Sequence, residues 1–255
     1  MDLRVSEADL NRQRATGTAR SDSSGIATGT RLVIVRHGEA WCNFEQFVGG
    51  PKSCRGLTPR GVRQAEVLRD RLLRTKELSA PEAIYTSTLP RAIETAEIVA
   101  GGFPNSQVQR SAGLDERDAG EADGLSWHEI PKRYGRSSTP GDEPHQPLAP
   151  GGESWITFID RAEAELTRLA REHSGALTLV VAHGGIIDAS LIRFLRLPEH
   201  GSQIRLHAEH TSMTEWQFTG KRWRLVRYND AAHLHEPEHA NELLAPPPEW
   251  VHTER

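Results

Sequence analysis

The sequence predicts an α/β fold: three layers, with a mostly parallel central sheet between two layers of helices. Two observations carry that prediction. Residues 32–35 (LVIV) and 177–182 (LTLVVA) are short, mainly apolar runs without alternation, the pattern of strands buried on both faces. Between the strand candidates lie longer stretches of helical periodicity, and strands that alternate with helices build parallel sheets covered on both sides.

The first strand candidate, 32–35, runs into Arg36, His37 and Gly38. A helix follows from Pro59 to about Leu73, with Thr58 as N-cap and Pro59 at the first position, where a missing N–H costs nothing. Val62, Ala65, Leu68 and Leu72 form its expected apolar stripe. Strand 83–86 leads into a helix from about Leu89 to Ala100. Residues 117–151 then break the alternation with a Gly/Pro-rich stretch, read as loops and a short helix near 126–134. Loops of that length in a compact domain are usually functional, so this insertion is expected to cover a substrate. In ESWITFIDRAEAELTRLAREH (153–173), Trp155, Ile159, Ala162, Leu166 and Leu169 share one face, and Ser154 reads as the cap. Strand 177–182 feeds a helix from about Gly185 to Leu195 that stops before Pro198. Strands 213–218 and 223–227 complete the pattern.

The two ends differ from this middle. Residues 1–29 carry scattered charge and little hydrophobic patterning, as expected of a flexible N-terminal arm, and the Pro-, Glu- and His-rich tail reads as an irregular surface extension. Within that tail, HLHEPEH (233–239) lacks the ligand spacing of a zinc site, so no metal is expected there. Charged residues make up 26% of the 255, with a net charge of −4, which gives no argument for nucleic acid or an anionic membrane as partner. No apolar run is long enough for a membrane span, and Cys42 and Cys54 are too few for a disulfide scaffold. A soluble, cytoplasmic protein is the expectation, with a homodimer left open.

The strand ends hold the chemistry. In open α/β sheets, ligands bind beyond the carboxyl ends of the strands. Strand 32–35 delivers Arg36 and His37 there, strand 177–182 delivers His183 and Gly184, and the helix after 83–86 carries Arg91 in an early turn. Singly, each has an ordinary explanation: a structural histidine, a solvated arginine. Together, at the ends of neighbouring strands and beside exposed helix N-termini, two arginines and two histidines suit a phosphate.

Several segments in order then resemble a known family. RHGEAWCN (36–43) resembles the RHGE-x-x-x-N signature of the histidine phosphatase superfamily, the phosphoglycerate mutase-like branch 1. LTPRGVRQA (57–65), YTSTLPRAIETAE (85–97), GLDERDAGEADGLSW (113–127), PGGES (150–154), VVAHGG (180–185) and YNDAAHL (228–234) follow as in that family. The resemblance implies a phosphoglycerate mutase-like domain over 30–235, with 236–255 as extension. It also implies a phosphohistidine mechanism without cofactor or metal. His37 would be the nucleophile, with Arg36, Asn43, Arg91, His183 and Gly184 binding the phosphate. Glu116 would be the acid and then the base; it is preferred over Asp115, Glu121 and Asp123 because its place in LDERDAG matches the family block.

The function this implies is hydrolysis of a small organic phosphate. The alternatives are phosphoglycerate mutase-type phosphoryl transfer, and a phosphoprotein phosphatase or regulatory binding protein. A mutase needs further cations for a second phosphate, and Lys132, Arg133 and Arg136 are the candidates in the insertion. Lys52 and Arg55 could likewise meet a second anionic group, though plain surface charge is the simpler reading. Trp41, Phe44, Phe47, Trp127 and Tyr134 flank the site in sequence as a candidate apolar wall.

Overall fold

The computed structural model describes residues 29–78, 80–104, 106–136, 142–198 and 206–243. Its strands are β1 (Thr30–Arg36), β2 (Ala83–Thr86), β3 (Val108–Arg110), β4 (Leu177–Ala182), β5 (Met213–Phe218) and β6 (Trp223–Asp230). They form one sheet in the order β3-β2-β4-β1-β5-β6. Pairing is parallel from β3 through β1, while β5 runs antiparallel to both β1 and β6. The sequence placed five of these strands. It missed β3, a three-residue edge strand with two exposed side chains and too little apolar content to register.

The helices are α1 (Trp41–Phe44), α2 (Pro59–Thr75), α3 (Pro90–Ala100), α4 (Glu129–Tyr134), α5 (Trp155–Glu172), α6 (Gly184–Leu195) and α7 (Ala240–Leu243). Alternate residues of β1 show the three layers directly. Leu32 and Ile34 pack with Phe158, Ile159, Leu166 and Ile187 of α5 and α6, whereas Val33 and Val35 pack with Leu68, Leu72, Ala96 and Val99 of α2 and α3. Because β1 and β4 are covered on both faces, both had to be almost wholly apolar up to their last residues. Both expected caps are present: Thr58 and Ser154 accept hydrogen bonds from the backbone N–H groups of Gly61 and Thr157.

Two expectations are corrected. Val62 is exposed, and Val67 takes the buried position on α2, in a small cluster with Ala231, Leu234 and Leu243. The start of the tail is therefore packed rather than irregular: a 3-10 turn at Ala232–Leu234 and then α7 lie on α2, where the Gln64 amide donates to the Leu243 carbonyl at 3.1 Å. Residues 1–28 and 244–255, the bulk of the expected arm and extension, lie outside the described residues. The 117–151 stretch has a core of its own, in which Ala119, Ala122, Ile130, Leu148 and Ala149 close on Val48. Among the described residues no helix is long and apolar enough to cross a membrane.

Candidate active site

Register brings the site together. Arg36 pairs with Ala182 and Thr86 with Val181, so β1, β4 and β2 end side by side. Two further backbone bonds continue the ladder past the strands, from His37 N–H to the Ala182 carbonyl (2.9 Å) and from Ser87 N–H to the Val181 carbonyl (3.2 Å). Arg36, His37, Ser87 and His183 thus share one edge of the sheet, onto which the N-termini of α3 and α6 open. Arg91, in the first turn of α3, reaches His37 at this edge, so the two arginines and two histidines that the sequence could place only at separate strand and helix ends are brought together.

His37 is buried and its ring is held at both nitrogens. Nδ1 lies 2.7 Å from the Gly38 carbonyl, which can only accept, so Nδ1 carries the proton. Nε2 receives the Nε–H of Arg91 at 3.1 Å and therefore presents a lone pair. Burial, then the positive charge of Arg91, holds this imidazole well below its ordinary pKa and hence neutral. Arg91 is fixed in turn by donating from Nη1 to the Gly49 carbonyl (2.8 Å) and to Cys54 Sγ (3.3 Å).

Arg36 donates through Nη1 to the Ala208 carbonyl, while its buried Nε has no partner among the described residues. The loop that supplies this carbonyl is pinned. Thr211 N–H donates to the Arg36 carbonyl at 2.9 Å, and Thr211 adopts φ +57°, a left-handed conformation rare for a β-branched residue. The fully buried His183 sits 5.2 Å from the His37 ring, centroid to centroid. Its Nε2 lies 2.7 Å from Ser87 Oγ, and that hydroxyl donates to Asp115 Oδ1 at 2.7 Å. The same carboxylate accepts from Thr88 N–H (2.6 Å) and Thr88 Oγ1 (2.6 Å). Asp115, the nearest rival to Glu116, is therefore fully engaged in orienting Ser87 and, through it, His183.

Glu116 faces the cleft. Its Oε1 accepts from Arg117 N–H (2.9 Å) and its Oε2 from Gly185 N–H (3.2 Å). A side chain at Gly185 would have its Cβ 2.2 Å from Glu116 Oε1, so glycine permits this approach. Glu121 and Asp123, the other rivals, do not line the cleft, and Asp123 is bound to the backbone N–H groups of Gly50 and Lys52. Asn43 lines the cleft too; its Oδ1 accepts from Ala40 N–H at 3.1 Å, which leaves its amide N–H groups to a ligand. Gly184 lines the same wall at the start of α6. Glu39 turns away: it is buried, bound to Thr58 Oγ1 (2.7 Å) and ion-paired with Arg60, and so clamps the start of α2.

The cleft, about 490 Å³, is lined by these polar and charged groups and by an apolar wall of Phe47, Val48, Trp127, Leu148 and Trp155. Of the candidate wall, Trp41 and Phe44 instead meet each other edge to face at 6.2 Å, outside the cleft, and Tyr134 donates to the Glu121 carbonyl. Arg55 lies over Trp41 and pairs with Glu45, and Arg136 pairs with Glu143. Lys132, Arg133 and Arg136 all lie outside the cleft lining.

Two residues escaped sequence reasoning. His210 sits 5.9 Å from the His37 ring, and its buried Nε2 has no partner among the described residues. It arrives there because β5 is antiparallel and so begins at the edge where β1 and β4 end. Asp188, on the second turn of α6, lines the cleft beside Gly185 and Glu116. Burial, followed by the neighbouring charge of Glu116, raises its carboxyl to about 7 against the opposing pull of Arg36.

An α/β sheet that gathers arginines and neutral histidines at its carboxyl edge defines a phosphate-handling protein. Comparison with known proteins gives the family: the chain belongs to the histidine phosphatase superfamily, branch 1, which it matches over residues 32–231. It is 31% identical over 223 residues to phosphoglycerate mutase-like protein 4 of Arabidopsis thaliana, covering 86% of this chain and 92% of that one. It is 29% identical over 209 residues to a metal-independent phosphoserine phosphatase of the same plant, covering 80% of this chain and 83% of that protein. Among solved structures, YhfR of Bacillus stearothermophilus superposes with a TM-score of 0.69 at 28% identity, covering 80% of this chain and 99% of that one.

Proposed function

We propose that this chain hydrolyses small organic phosphomonoesters through a phosphohistidine on His37. The observation that carries the reading is the pinned tautomer of that ring, with Nδ1 protonated towards Gly38 and an unprotonated Nε2 under Arg91. A nucleophile must offer a lone pair, and burial among cations keeps this one available near neutral pH.

In the first half-reaction the Nε2–P bond forms and the bond from phosphorus to the ester oxygen breaks. Glu116, as the acid, gives that oxygen its proton. In the second, water attacks phosphorus, Glu116 takes the proton, the Nε2–P bond breaks and inorganic phosphate leaves. Arg36, Arg91 and His183, with the N-terminus of α6 at Gly184, stabilise the charge on the phosphoryl oxygens, and Asn43 adds an amide donor. Because arginines supply the charge that a metal would otherwise supply, the reaction is metal-independent, in keeping with the name of the phosphoserine phosphatase relative.

The test is phosphate release from a panel of small esters by wild type and His37→Ala, with and without a chelator. Release that is lost in the variant and indifferent to chelator is the expected result. Release surviving in His37→Ala overturns the mechanism, and isomerised phosphoglycerate in place of free phosphate redirects it to a mutase.

A further inference from the structure

The mechanism above uses Glu116 and leaves a second carboxyl in the cleft without work. Asp188 lies one turn along α6 from Gly184 and Gly185, and a helical side chain leans back over the preceding turn. That direction takes it to the wall formed by those glycines and Glu116, where it lines the cleft. Among the described residues it has no hydrogen bond or ion pair, and it is half-buried, open to the cleft. The charged groups that act on it are Glu116 and Arg36, and it acts in turn on the hydroxyl of Tyr228. Tyr228 is already committed, donating to the His207 carbonyl at 2.5 Å. Arg36 donates through Nη1 to the Ala208 carbonyl, which leaves its Nε–H for the phosphate it would bind.

A half-buried carboxyl with no protein donor is left to solvent in the free protein and gains a partner when a ligand supplies one. The ester oxygen of a substrate must lie next to Glu116, so the first atoms of the leaving group lie along the same wall. Glu116 carries the proton meant for the ester oxygen, so Asp188 is the carboxyl on this wall left to meet a ligand, and a carboxylate complements a cation better than a hydroxyl.

We propose that Asp188 is a specificity-determining residue that pairs with an ammonium group on the leaving group, close to the ester oxygen, making aminoalkyl phosphomonoesters the preferred substrate class. The proposal rests on the hydrolase reading above. The raised affinity of Asp188 for a proton in the free protein is consistent with it, since an arriving ammonium replaces that proton as the compensating charge.

The experiment compares kcat/KM for 2-aminoethyl phosphate, 2-hydroxyethyl phosphate and propyl phosphate, which match in length and differ in the terminal group. Wild type is expected to favour the amino ester over the propyl ester by tenfold or more, with the hydroxy ester close to propyl. Asp188→Asn and Asp188→Ser are each expected to bring the amino-to-propyl ratio close to one, a readout that a merely structural role would not move. An amino-to-propyl ratio near one in wild type overturns the assignment and needs no variant; so does a hydroxy ester as good as the amino ester, or a preference that survives both substitutions. Hydrolysis of propyl phosphate with no preference sinks the Asp188 assignment alone. Failure of wild type to release phosphate from any of the three sinks the hydrolase reading beneath it.

Discussion

Arg91 directs its Nε–H at Nε2 of His37 across 3.1 Å, so a buried arginine marks the atom expected to attack phosphorus. It does so while its Nη1 is tied to the carbonyl of Gly49. A single planar fork serves both contacts, which a lysine ammonium cannot reproduce. Arg91→Lys should therefore lower kcat by roughly 10²–10³-fold, the scale of losing one preorganised donor to a transition-state oxyanion. Steady-state kinetics on a simple alkyl phosphate checks this, and wild-type kcat in the variant would show that charge alone is enough.

The same pair sets the acid side of the pH profile. His37 is held neutral by burial first and by Arg91 second, so its folded pKa lies below the ordinary 6.5. The limb of kcat/KM that reports its protonation should accordingly lie below pH 6.5. Removing the nearby cation with Arg91→Gln should raise that pKa and move the limb to higher pH, even though overall activity falls. A limb that stays in place would mean that the titrating group is not His37.

Glu116 and Gly185 make a second linked pair. Glu116→Gln removes the acid but keeps the shape, so a poor alkyl leaving group should suffer by 10²–10⁴-fold. A nitrophenyl ester, whose oxygen needs no proton to leave, should instead give a burst of nitrophenolate followed by a slow second step. Gly185→Ala should act in the same direction, because its Cβ would overlap Glu116 Oε1 and push the carboxylate from the backbone N–H at its Oε2. The same Cβ would also lie 2.9 Å from Cζ of the fully buried Phe158, so a fall in Tm should accompany the loss in kcat. A nitrophenyl ester whose first, burst step slows as much as the alkyl ester in Glu116→Gln would argue against an acid at this position.

Much of this was legible in the sequence, for a physical reason. Strands buried on both faces must be apolar, so β1 and β4 stood out, and the polar residues that end them were conspicuous for the same reason. Thr58, Pro59 and Ser154 announced their helices through capping chemistry that is local in sequence. His210 and Asp188 were illegible because their importance depends on tertiary facts. The direction of β5 carries His210 to the catalytic edge, and the backward lean of a helical side chain carries Asp188 into the cleft. Val62 and Val67 traded places because α7, a four-residue helix in a polar tail, covers a side of α2 that periodicity alone assigned to solvent.

His233 gives a prediction about stability. It is fully buried, and its Nε2 donates at 2.9 Å to Thr211 Oγ1, whose own hydrogen goes to the His210 carbonyl. It thereby braces the strained residue beside the loop that holds Arg36. Burial lowers its pKa from 6.5 to about 3. A histidine with a depressed folded pKa takes up its proton more readily when unfolded, so its contribution is complete above about 6.5 and is lost as the pH falls towards 3. Between pH 7 and pH 5 that loss is about 2 kcal/mol. Asp188 works in the opposite sense, since its raised carboxyl favours the folded state as the pH falls from about 7, and the buried His37, His183 and His210 work in the same sense as His233, so the wild-type slope alone would mix them all. His233→Gln keeps an amide donor for Thr211 but cannot titrate, so its advantage relative to wild type should grow by about 2 kcal/mol between pH 7 and pH 5. Urea unfolding of both proteins at the two pH values measures the difference, and parallel pH dependence would show that His233 does not titrate on unfolding.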